Sequence, residues 1–309
     1  MDERTRARCI GAIVGLAVGD ALGTTLEFKR PGSFTPIEDM VGGGPFNLEP
    51  GFWTDDTSMA LCLAESLAEC ATFDAADQMR RYLRWYSDGH WSSTGSCFDI
   101  GNTTREALAS FARSGNPFSG STSPLKAGNG SLMRLAPVPV YFRDDPERAI
   151  AFAAESSRTT HGAQTAVDAC RYFAGLIVGA LQGRPKQQLL AERFHPVRGQ
   201  WSRGELHPEI DLVAAGSFLR REPPEIRGTG FVVQSLEAAM WAFARGDDFR
   251  TGALLAVNLG DDADTTGAIY GQLAGTHYGV DGIPAHWVAA LAKGDQVQQL
   301  TSRLITQVE

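Results

Sequence analysis

The stretch GAIVGLAVGDALG, residues 11–23, places a glycine at every fourth position: Gly11, Gly15, Gly19 and Gly23. A second stretch repeats this spacing at Gly267, Gly271, Gly275 and Gly279. Residues four apart lie on one face of an α-helix, so each stretch predicts a helix with one side free of side chains. Each interior glycine weakens a helix by about 1 kcal/mol relative to alanine, which indicates that another backbone approaches closely. The pattern fits two central helices that hold their loops in register, and it equally fits tight packing without a functional role.

Helical periodicity also dominates the rest of the chain. The spacing of apolar residues predicts helices over residues 55–70, 73–87, 149–157, 164–181, 209–219, 231–244, 251–258 and 263–278. Period-two strands are scarce, and the short apolar run at 138–142 contains Pro139. Four loop-like stretches, at 29–51, 115–130, 183–207 and 221–230, are too short to link independent domains. We therefore expect an all-α fold built as one domain over residues 1–309.

Composition narrows the class of protein. The 309 residues carry 28 Lys and Arg against 36 Asp and Glu, a net charge of −8, and no basic run exceeds two residues, which argues against nucleic-acid binding. The longest uncharged apolar runs, 10–19 and 173–182, are half the roughly 20 residues of a membrane helix. Five cysteines without a CxxC pair argue against a disulfide framework or structural zinc. Since the N-terminus is also a poor signal peptide, we expect a cytoplasmic enzyme.

Two acidic clusters each directly precede a predicted helix. The first is WTDDT at residues 53–57, and the second is GDDADTT at residues 260–266. Helix capping explains one or two acids at such positions, because Thr and Asp oxygens accept the unpaired amides of a first turn. Five carboxylates brought together would repel one another, and a divalent cation removes that conflict. Carboxylates and hydroxyls without His or Cys suit Mg²⁺ or Mn²⁺, so the residues themselves leave both capping and metal binding open.

Three smaller features are further candidates for a ligand site. The loop AGNGSLMR, residues 127–134, sets two glycines around Asn129 before an apolar run, which is typical of a phosphate-binding helix start or of an ordinary turn. Asp20 and Glu27 lie near the end of the first glycine stretch, where Glu27 is either a solvated loop residue or part of a site. His161 lies between two predicted helices, and the other five histidines show no metal-binding spacing.

Taken in order, these motifs resemble the ADP-ribosylglycohydrolase family, most closely its bacterial dinitrogenase reductase-activating glycohydrolase branch. The resemblance runs from residues 11–23 through 54–57, 128–134 and 160–161 to 260–271, nearly the whole chain. It implies an orthogonal, all-α, single-domain fold with two divalent metal ions, Mg²⁺ or Mn²⁺, at the base of an ADP-ribose cleft. It also implies an ADP-ribosylated protein as substrate.

The resemblance assigns residues as well. The family's metal ligands match Thr54, Asp55, Asp56, Asp262, Asp264 and Thr265. Asp55 and Asp264 are the two expected to touch both ions, whereas Asp261 lies outside the Asp-x-Asp-Thr core. Glu27 matches the family's site glutamate and completes the expected catalytic set. The expected substrate contacts are Asn129, Gly130, Ser131 and Met133 around the diphosphate and ribose, His161, and Gly230 and Phe231 near the adenosine end. The Phe231 ring either contacts adenine or is an aromatic residue of the hydrophobic core.

The block CFDIGNTT, residues 97–104, looks like the bacterial branch, in which the acid at Asp99 faces the modified arginine. A carboxylate matches the two-pronged donor geometry of a guanidinium. The alternative is that Asp99 caps the helix predicted after Gly101.

The resemblance implies hydrolysis of the bond between C1″ of ADP-ribose and a protein side chain, arginine in the first instance. Metal-activated water would attack C1″, and nearby carboxylates would stabilise the positive charge that develops there. Glu27 would orient the water or relay a proton to the leaving group. Two alternatives remain: hydrolysis of serine-linked ADP-ribose or of an ADP-ribose ester, and a non-catalytic ADP-ribose-binding or immunity protein.

Overall fold

The computed structural model describes residues 1–306 and shows an all-α fold, as the sequence predicts. The α-helices are α1 (Glu3–Gly23), α2 (Asp55–Cys70), α3 (Ala75–Asp88), α4 (Asn102–Ser114), α5 (Pro137–Tyr141), α6 (Pro146–Arg158), α7 (Gln164–Leu181), α8 (Lys186–Leu189), α9 (Pro208–Ala214), α10 (Val232–Arg245), α11 (Phe249–Val257), α12 (Ala263–Tyr278), α13 (Ala285–Ala290) and α14 (Gly294–Thr306). Short 3₁₀ turns cover Thr24–Leu26, Pro124–Lys126, Ser217–Leu219 and Val280–Gly282. One small antiparallel pair joins β1 (Phe194–His195) to β2 (Gly199–Gln200).

The predicted helices are present, with differences at their ends. α2, α7 and α12 begin and end at the predicted residues. The helix predicted over 209–219 is interrupted, because Gly216 adopts φ +82° and separates α9 from a 3₁₀ turn. The sequence reasoning missed α13 and α14, and it expected α4 only as a helix after Gly101, without a predicted end. The loop predicted at 183–207 contains α8 and the strand pair. The run at 138–142 belongs to the short helix α5 rather than to a strand.

The two glycine-bearing helices pack against each other in antiparallel fashion. Gly11 lies on Gly275, Gly15 on Gly271 and Gly19 on Gly267, and a Cβ added at any of these six would overlap a carbonyl oxygen of the opposite helix. The predicted close approach of another backbone is therefore confirmed. Gly279 does not belong to the glycine face of α12, because it follows the last residue of that helix and has φ +75°.

This contact positions the two acidic clusters. α1 ends at Gly23, and a Cβ added there would lie in contact with main-chain atoms of Ala263 and Asp264, at the first turn of α12. The direct backbone contact leaves no side chain between the helices that could repack or slide. The end of α1 and the start of α12 are consequently held in one register.

α1 is also the centre of the hydrophobic core. By length and composition, Glu3–Leu26 is the one stretch within residues 1–306 that could span a membrane, with a mean hydropathy of 1.7. However, 89% of the 18-residue segment of this stretch with that hydropathy is buried inside the protein. α1 also packs on α12, α14, α11 and α7. This burial is that of a central core helix.

Candidate active site

Asp20 fixes the first acidic cluster. It is fully buried near the end of α1, and one carboxylate oxygen, Oδ1, accepts hydrogen bonds from the Thr54 amide and hydroxyl, both at 2.9 Å. The other oxygen, Oδ2, accepts from the Thr57 amide at 3.0 Å and from its hydroxyl at 2.6 Å. Four donors on one carboxylate hold the start of α2 in place, so that Asp55 and Asp56 have fixed positions.

The second acidic cluster meets the first. The Thr54 hydroxyl lies 3.1 Å from Asp264 Oδ2, and the Thr265 hydroxyl donates to Asp56 Oδ1 at 3.0 Å. Thr54 and Asp262 occupy the N-cap positions of α2 and α12, and neither makes a side-chain capping hydrogen bond. Capping therefore does not explain why the two clusters carry so many acids.

The carboxylates form two adjoining groups that share Asp264. Oxygens of Asp20, Asp56 and Asp264 lie within 4.8 Å of one another, and so do oxygens of Glu27, Asp99 and Asp264. Two buried oxygens, Glu27 Oε2 and Asp264 Oδ1, have no hydrogen-bond partner among residues 1–306. An unpaired buried oxygen is costly unless something supplies positive charge. Hard oxygen donors with unpaired buried lone pairs fit a divalent cation such as Mg²⁺ or Mn²⁺.

Electrostatics agrees with that fit. Burial, followed by the charges of neighbouring carboxylates, raises the pKa of Asp55, Asp56 and Asp264 well above the ordinary range. Burial and then the charge of Asp99 raise the pKa of Glu27 to about 9. Without cations these groups favour the protonated form, and a bound divalent ion replaces those protons.

The Gly-Asn-Gly loop completes one wall. The Asn129 side-chain amide donates to Asp262 Oδ2 at 2.7 Å, and its main-chain amide donates to the Gly230 carbonyl at 3.2 Å. His161 lies beneath the loop: a Cβ at Gly130 would sit 2.8 Å from His161 Cε1, and one at Gly128 would sit 3.3 Å from His161 Nε2. A side chain at Gly130 would therefore displace the imidazole, whereas one at Gly128 would make a tight contact with it. Burial lowers the pKa of His161 to about 3, so the ring is neutral at physiological pH.

Of the two interpretations of this loop, a helix start and an ordinary turn, the structure favours the turn. Residues 129–134 form turns, and the regular helix α5 begins only at Pro137. The reason is tertiary: the Gln272 side chain on α12 donates to the carbonyls of Leu132 and Met133, at 3.1 and 2.7 Å, and accepts from the Ala136 amide at 2.7 Å. Those groups are therefore bonded to α12 instead of to one another in a helix.

A cavity of about 700 Å³ opens above the acidic clusters. Ten of the candidate residues line it: Glu27, Asp55, Asp99, Asn129, Gly130, Met133, His161, Gly230, Asp262 and Thr265. Three more, Thr54, Asp56 and Asp264, are buried and bonded to one another or to Asp20, as described above. The lining also includes residues that sequence reasoning did not select, notably Phe28, Arg227 and Thr229.

A family model for ADP-ribosylglycohydrolases matches residues 1–309. The chain belongs to the ADP-ribosylglycohydrolase family. The ADP-ribosylarginine hydrolase Tri1 of Pseudomonas putida (strain GB-1) is 42% identical over 302 residues, which are 98% of this chain and 79% of that protein. The ADP-ribosyl-[dinitrogen reductase] glycohydrolase of Rhodospirillum rubrum is 32% identical and covers 92% of this chain and 90% of its own. A solved structure described as an ADP-ribosylglycohydrolase-related protein complex superposes with a TM-score of 0.87 at 46% identity over all of both chains.

Two residues that the family resemblance assigns to substrate binding, Ser131 and Phe231, are not among the described residues that line the cavity. Ser131 is buried, and its hydroxyl lies 2.8 Å from the Ser157 hydroxyl, so its side chain faces the interior. Phe231 packs against the hydrophobic core, while its main chain pairs with Gly128. The Phe231 ring is partly buried, and Phe231 is not among the described residues that line the cavity.

Asp99 is not a helix cap. The N-cap of α4 is Gly101, and the Asp99 carboxylate instead joins the group with Glu27 and Asp264. Asp99 has φ +56°, a conformation that is uncommon outside glycine and often found at functional sites. Burial, and then the charges of Asp262 and Asp20, raise the pKa of Asp99 to about 7.

Arg134 is a supporting residue whose role the sequence did not indicate. Its fully buried guanidinium donates to the Gly130 carbonyl at 2.9 Å and to the Thr160 hydroxyl at 2.7 Å, and it lies over the Tyr82 ring at 4.7 Å. The Thr160 hydroxyl in turn lies 2.9 Å from His161 Nδ1. Arg134 therefore ties the Gly-Asn-Gly loop to the histidine beneath it.

A second cavity, of about 940 Å³, adjoins the first, and Arg227 and Asp261 line both. Its walls are mainly apolar, with Leu254, Leu255 and Trp241 among them, and none of its described lining residues belongs to the two carboxylate groups that share Asp264. Although this cavity is larger, Asp261 is the only acid among its described lining residues, and that carboxylate is paired with Arg227. The smaller, acidic cavity is therefore the candidate active site.

Proposed function

We propose that this chain is a hydrolase that removes ADP-ribose from arginine side chains of modified proteins. The observation that carries the proposal is the junction of two acidic clusters, distant in sequence, on the floor of one cavity. Family membership and the names of the two relatives described above support the same reaction. Hydrolysis of serine-linked ADP-ribose or of an ADP-ribose ester would use the same acidic cavity floor, with different residues around the cavity opening.

Two divalent ions, Mg²⁺ or Mn²⁺, are the cofactors we propose. Thr54, Asp55, Asp56, Asp262, Asp264 and Thr265 would hold them. When bound, such ions supply Lewis acidity and lower the pKa of bound water towards neutrality. The unpaired Asp264 Oδ1 and the carboxylate groups that contain Asp56 and Asp264 support a cation at this place. The other four ligands follow from the family resemblance.

The chain's own residues have distinct tasks in this proposal. A water oxygen bonds to C1″ while the C1″–N bond breaks, and the electron pair stays on the guanidino nitrogen. Glu27 orients that water, and a proton lost by the water returns to the leaving guanidine. The crowded carboxylates stabilise the positive charge that develops at C1″. Asp99 faces the guanidinium, and Asn129, Gly130 and His161 shape the wall against the rest of ADP-ribose.

Turnover assays with defined substrates test this function. ADP-ribosyl-arginine and ADP-ribosyl-serine peptides are incubated with the protein in the presence and absence of EDTA, followed by addition of Mg²⁺ or Mn²⁺. We expect release of ADP-ribose from the arginine peptide, loss of release with EDTA and recovery on adding metal. Release from the serine peptide alone would assign the O-linked reaction, and binding of ADP-ribose without any turnover would assign a non-catalytic protein.

The cell compartment also remains a proposal. The free cysteines, three of them buried, support a reducing compartment such as the cytoplasm. Fractionation of cells that express the tagged full-length protein would test this location.

A further inference from the structure

Phe28 is an apolar residue in the lining of the acidic cavity. It follows Glu27 directly and lines the candidate active-site cavity, yet 66% of it is exposed. Its φ of +59° is a genuine outlier for a bulky residue and costs on the order of 1–3 kcal/mol. Neither the exposed ring nor the backbone conformation contributes to the hydrophobic core. Such a residue persists where the surrounding structure imposes it, and this pattern is typical of functional sites.

The backbone around Phe28 shows what imposes the conformation. The Phe28 amide donates to the Asp261 carbonyl at 2.7 Å, and the Asp261 amide donates to the Lys29 carbonyl at 2.8 Å. Asp261 itself has φ +54° and directly precedes Asp262 of the second acidic cluster. The main chain of Phe28, from which the ring projects, is therefore held in place relative to Asp262 on the cavity floor.

The ring is also open to a ligand. Arg227, which lines the same cavity, is paired with Asp261 at 2.8 Å rather than with the ring. None of the cation–ring or ring–ring contacts within residues 1–306 uses Phe28. An exposed aromatic ring in a cavity that Glu27 and Asp99 also line offers a flat surface and negative charge together.

That combination suits one part of the substrate. A guanidinium is planar, is always charged, stacks on aromatic faces and pairs with carboxylates. We propose that Phe28 is a specificity-determining residue, whose ring stacks on the guanidinium of the target arginine while Asp99 accepts its hydrogen bonds. The proposal rests on the arginine-directed function above. The adenine ring is the less suitable occupant, because it is separated from the scissile C1″–N bond by two riboses and a diphosphate, and Phe28 adjoins Glu27 at the reacting end.

The test compares substitutions at Phe28 on two readouts. The first is kcat/KM on an ADP-ribosyl-arginine peptide, and the second is the Kd for free ADP-ribose, which has no guanidinium. Phe28→Leu should lower kcat/KM roughly five- to thirtyfold, the range of a partly desolvated cation–π contact, and leave the Kd for ADP-ribose within twofold. Phe28→Tyr should restore the rate, because it keeps an aromatic face.

Phe28→Gly separates recognition from folding. Glycine adopts a positive φ without strain, so this variant should melt at the same temperature as the original protein or higher, with the rate loss of Phe28→Leu. Tyr86→Leu is the matched control, because Tyr86 is another half-exposed ring, on α3, that does not line the cavity. It should leave both readouts unchanged.

The outcomes are distinct. If the unmodified protein does not cleave the arginine peptide, the proposed function fails before Phe28 is tested. If the protein is active but Phe28→Leu retains full kcat/KM, the ring has no role in specificity. An equal fall in ADP-ribose affinity would also overturn the proposal, because the ring would then contact ADP-ribose itself.

Discussion

Substitution of Gly271 by alanine tests the link between the glycine contact and the site. An added Cβ would lie within 3.1 Å of three main-chain atoms of Gly15 and Leu16, none of which can rotate away. Alanine improves helix propensity by about 1 kcal/mol, whereas overpacking typically costs about 1–3 kcal/mol and occasionally more. Because the added atom would overlap the main chain, the cost lies towards the upper end of that range, and we expect a net loss of about 1–2 kcal/mol. For a chain of this size that loss lowers the Tm by roughly 1.5–3 °C. Because α1 and α12 must then separate, Mn²⁺ affinity should fall as well.

Thermal unfolding followed by circular dichroism, together with Mn²⁺ titration, measures both effects. Gly175→Ala on α7 is the matched control, because a Cβ there would meet only side chains, Pro196 Cδ at 3.3 Å and Ile150 Cδ1 at 3.8 Å. That variant should be neutral or slightly stabilised, with unchanged metal affinity. If Gly271→Ala melted at or above the temperature of the unmodified protein, the rigid backbone contact would not set the register of the two clusters.

Two further predictions concern the acids. Asp264→Ala removes the carboxylate shared by the two carboxylate groups, so Mn²⁺ binding and turnover should be abolished. Asp261→Ala loses only an ion pair with the half-exposed Arg227 and should keep most of its Mn²⁺ affinity and turnover. Isothermal titration and rate measurements test this, and metal occupancy retained in Asp264→Ala would contradict the assignment. Asp99→Asn should lower kcat/KM on an ADP-ribosyl-arginine peptide roughly ten- to a hundredfold, because a charge-assisted hydrogen bond is lost. The same variant should leave the Kd for ADP-ribose near normal. An equal loss in kcat/KM and in ADP-ribose affinity would instead make Asp99 a structural residue of the cleft.

Much of the helical layout follows from local sequence. α2, α7 and α12 are long, strongly patterned and bounded by clear start or stop residues, so their ends are predictable. α14 is amphipathic as well, but the sequence reasoning did not select it, and it expected α4 only as a helix after Gly101. The prediction of one domain over 1–309 stays a prediction.

Site residues divide in the same way. Residues on helix ends, such as Asp55 and Asp264, stand out because acids crowd one position beyond what capping needs. Phe28 and Arg134 gave no such signal, because an isolated aromatic and an isolated arginine have ordinary composition. Ser131 and Phe231 lie within motifs, yet neither lines the cavity: the Ser131 hydroxyl is bonded in the interior, and the partly buried Phe231 packs against the core. Motif membership fixes a residue's place along the backbone, whereas the direction of its side chain depends on neighbours from other elements.

The sequence by itself determined the all-α class, the two glycine faces and the family, because helical period, glycine spacing and ordered motifs are local properties of the chain. Only the tertiary structure decided that Thr54 meets Asp264 and that Asp20 holds the start of α2. It also decided that the turn after Asn129 is bonded to Gln272 instead of forming a helix. These contacts join residues more than thirty positions apart, and their existence depends on the packing of α1 against α12. No local pattern encodes that proximity, since it arises only when the two side-chain-free faces come together.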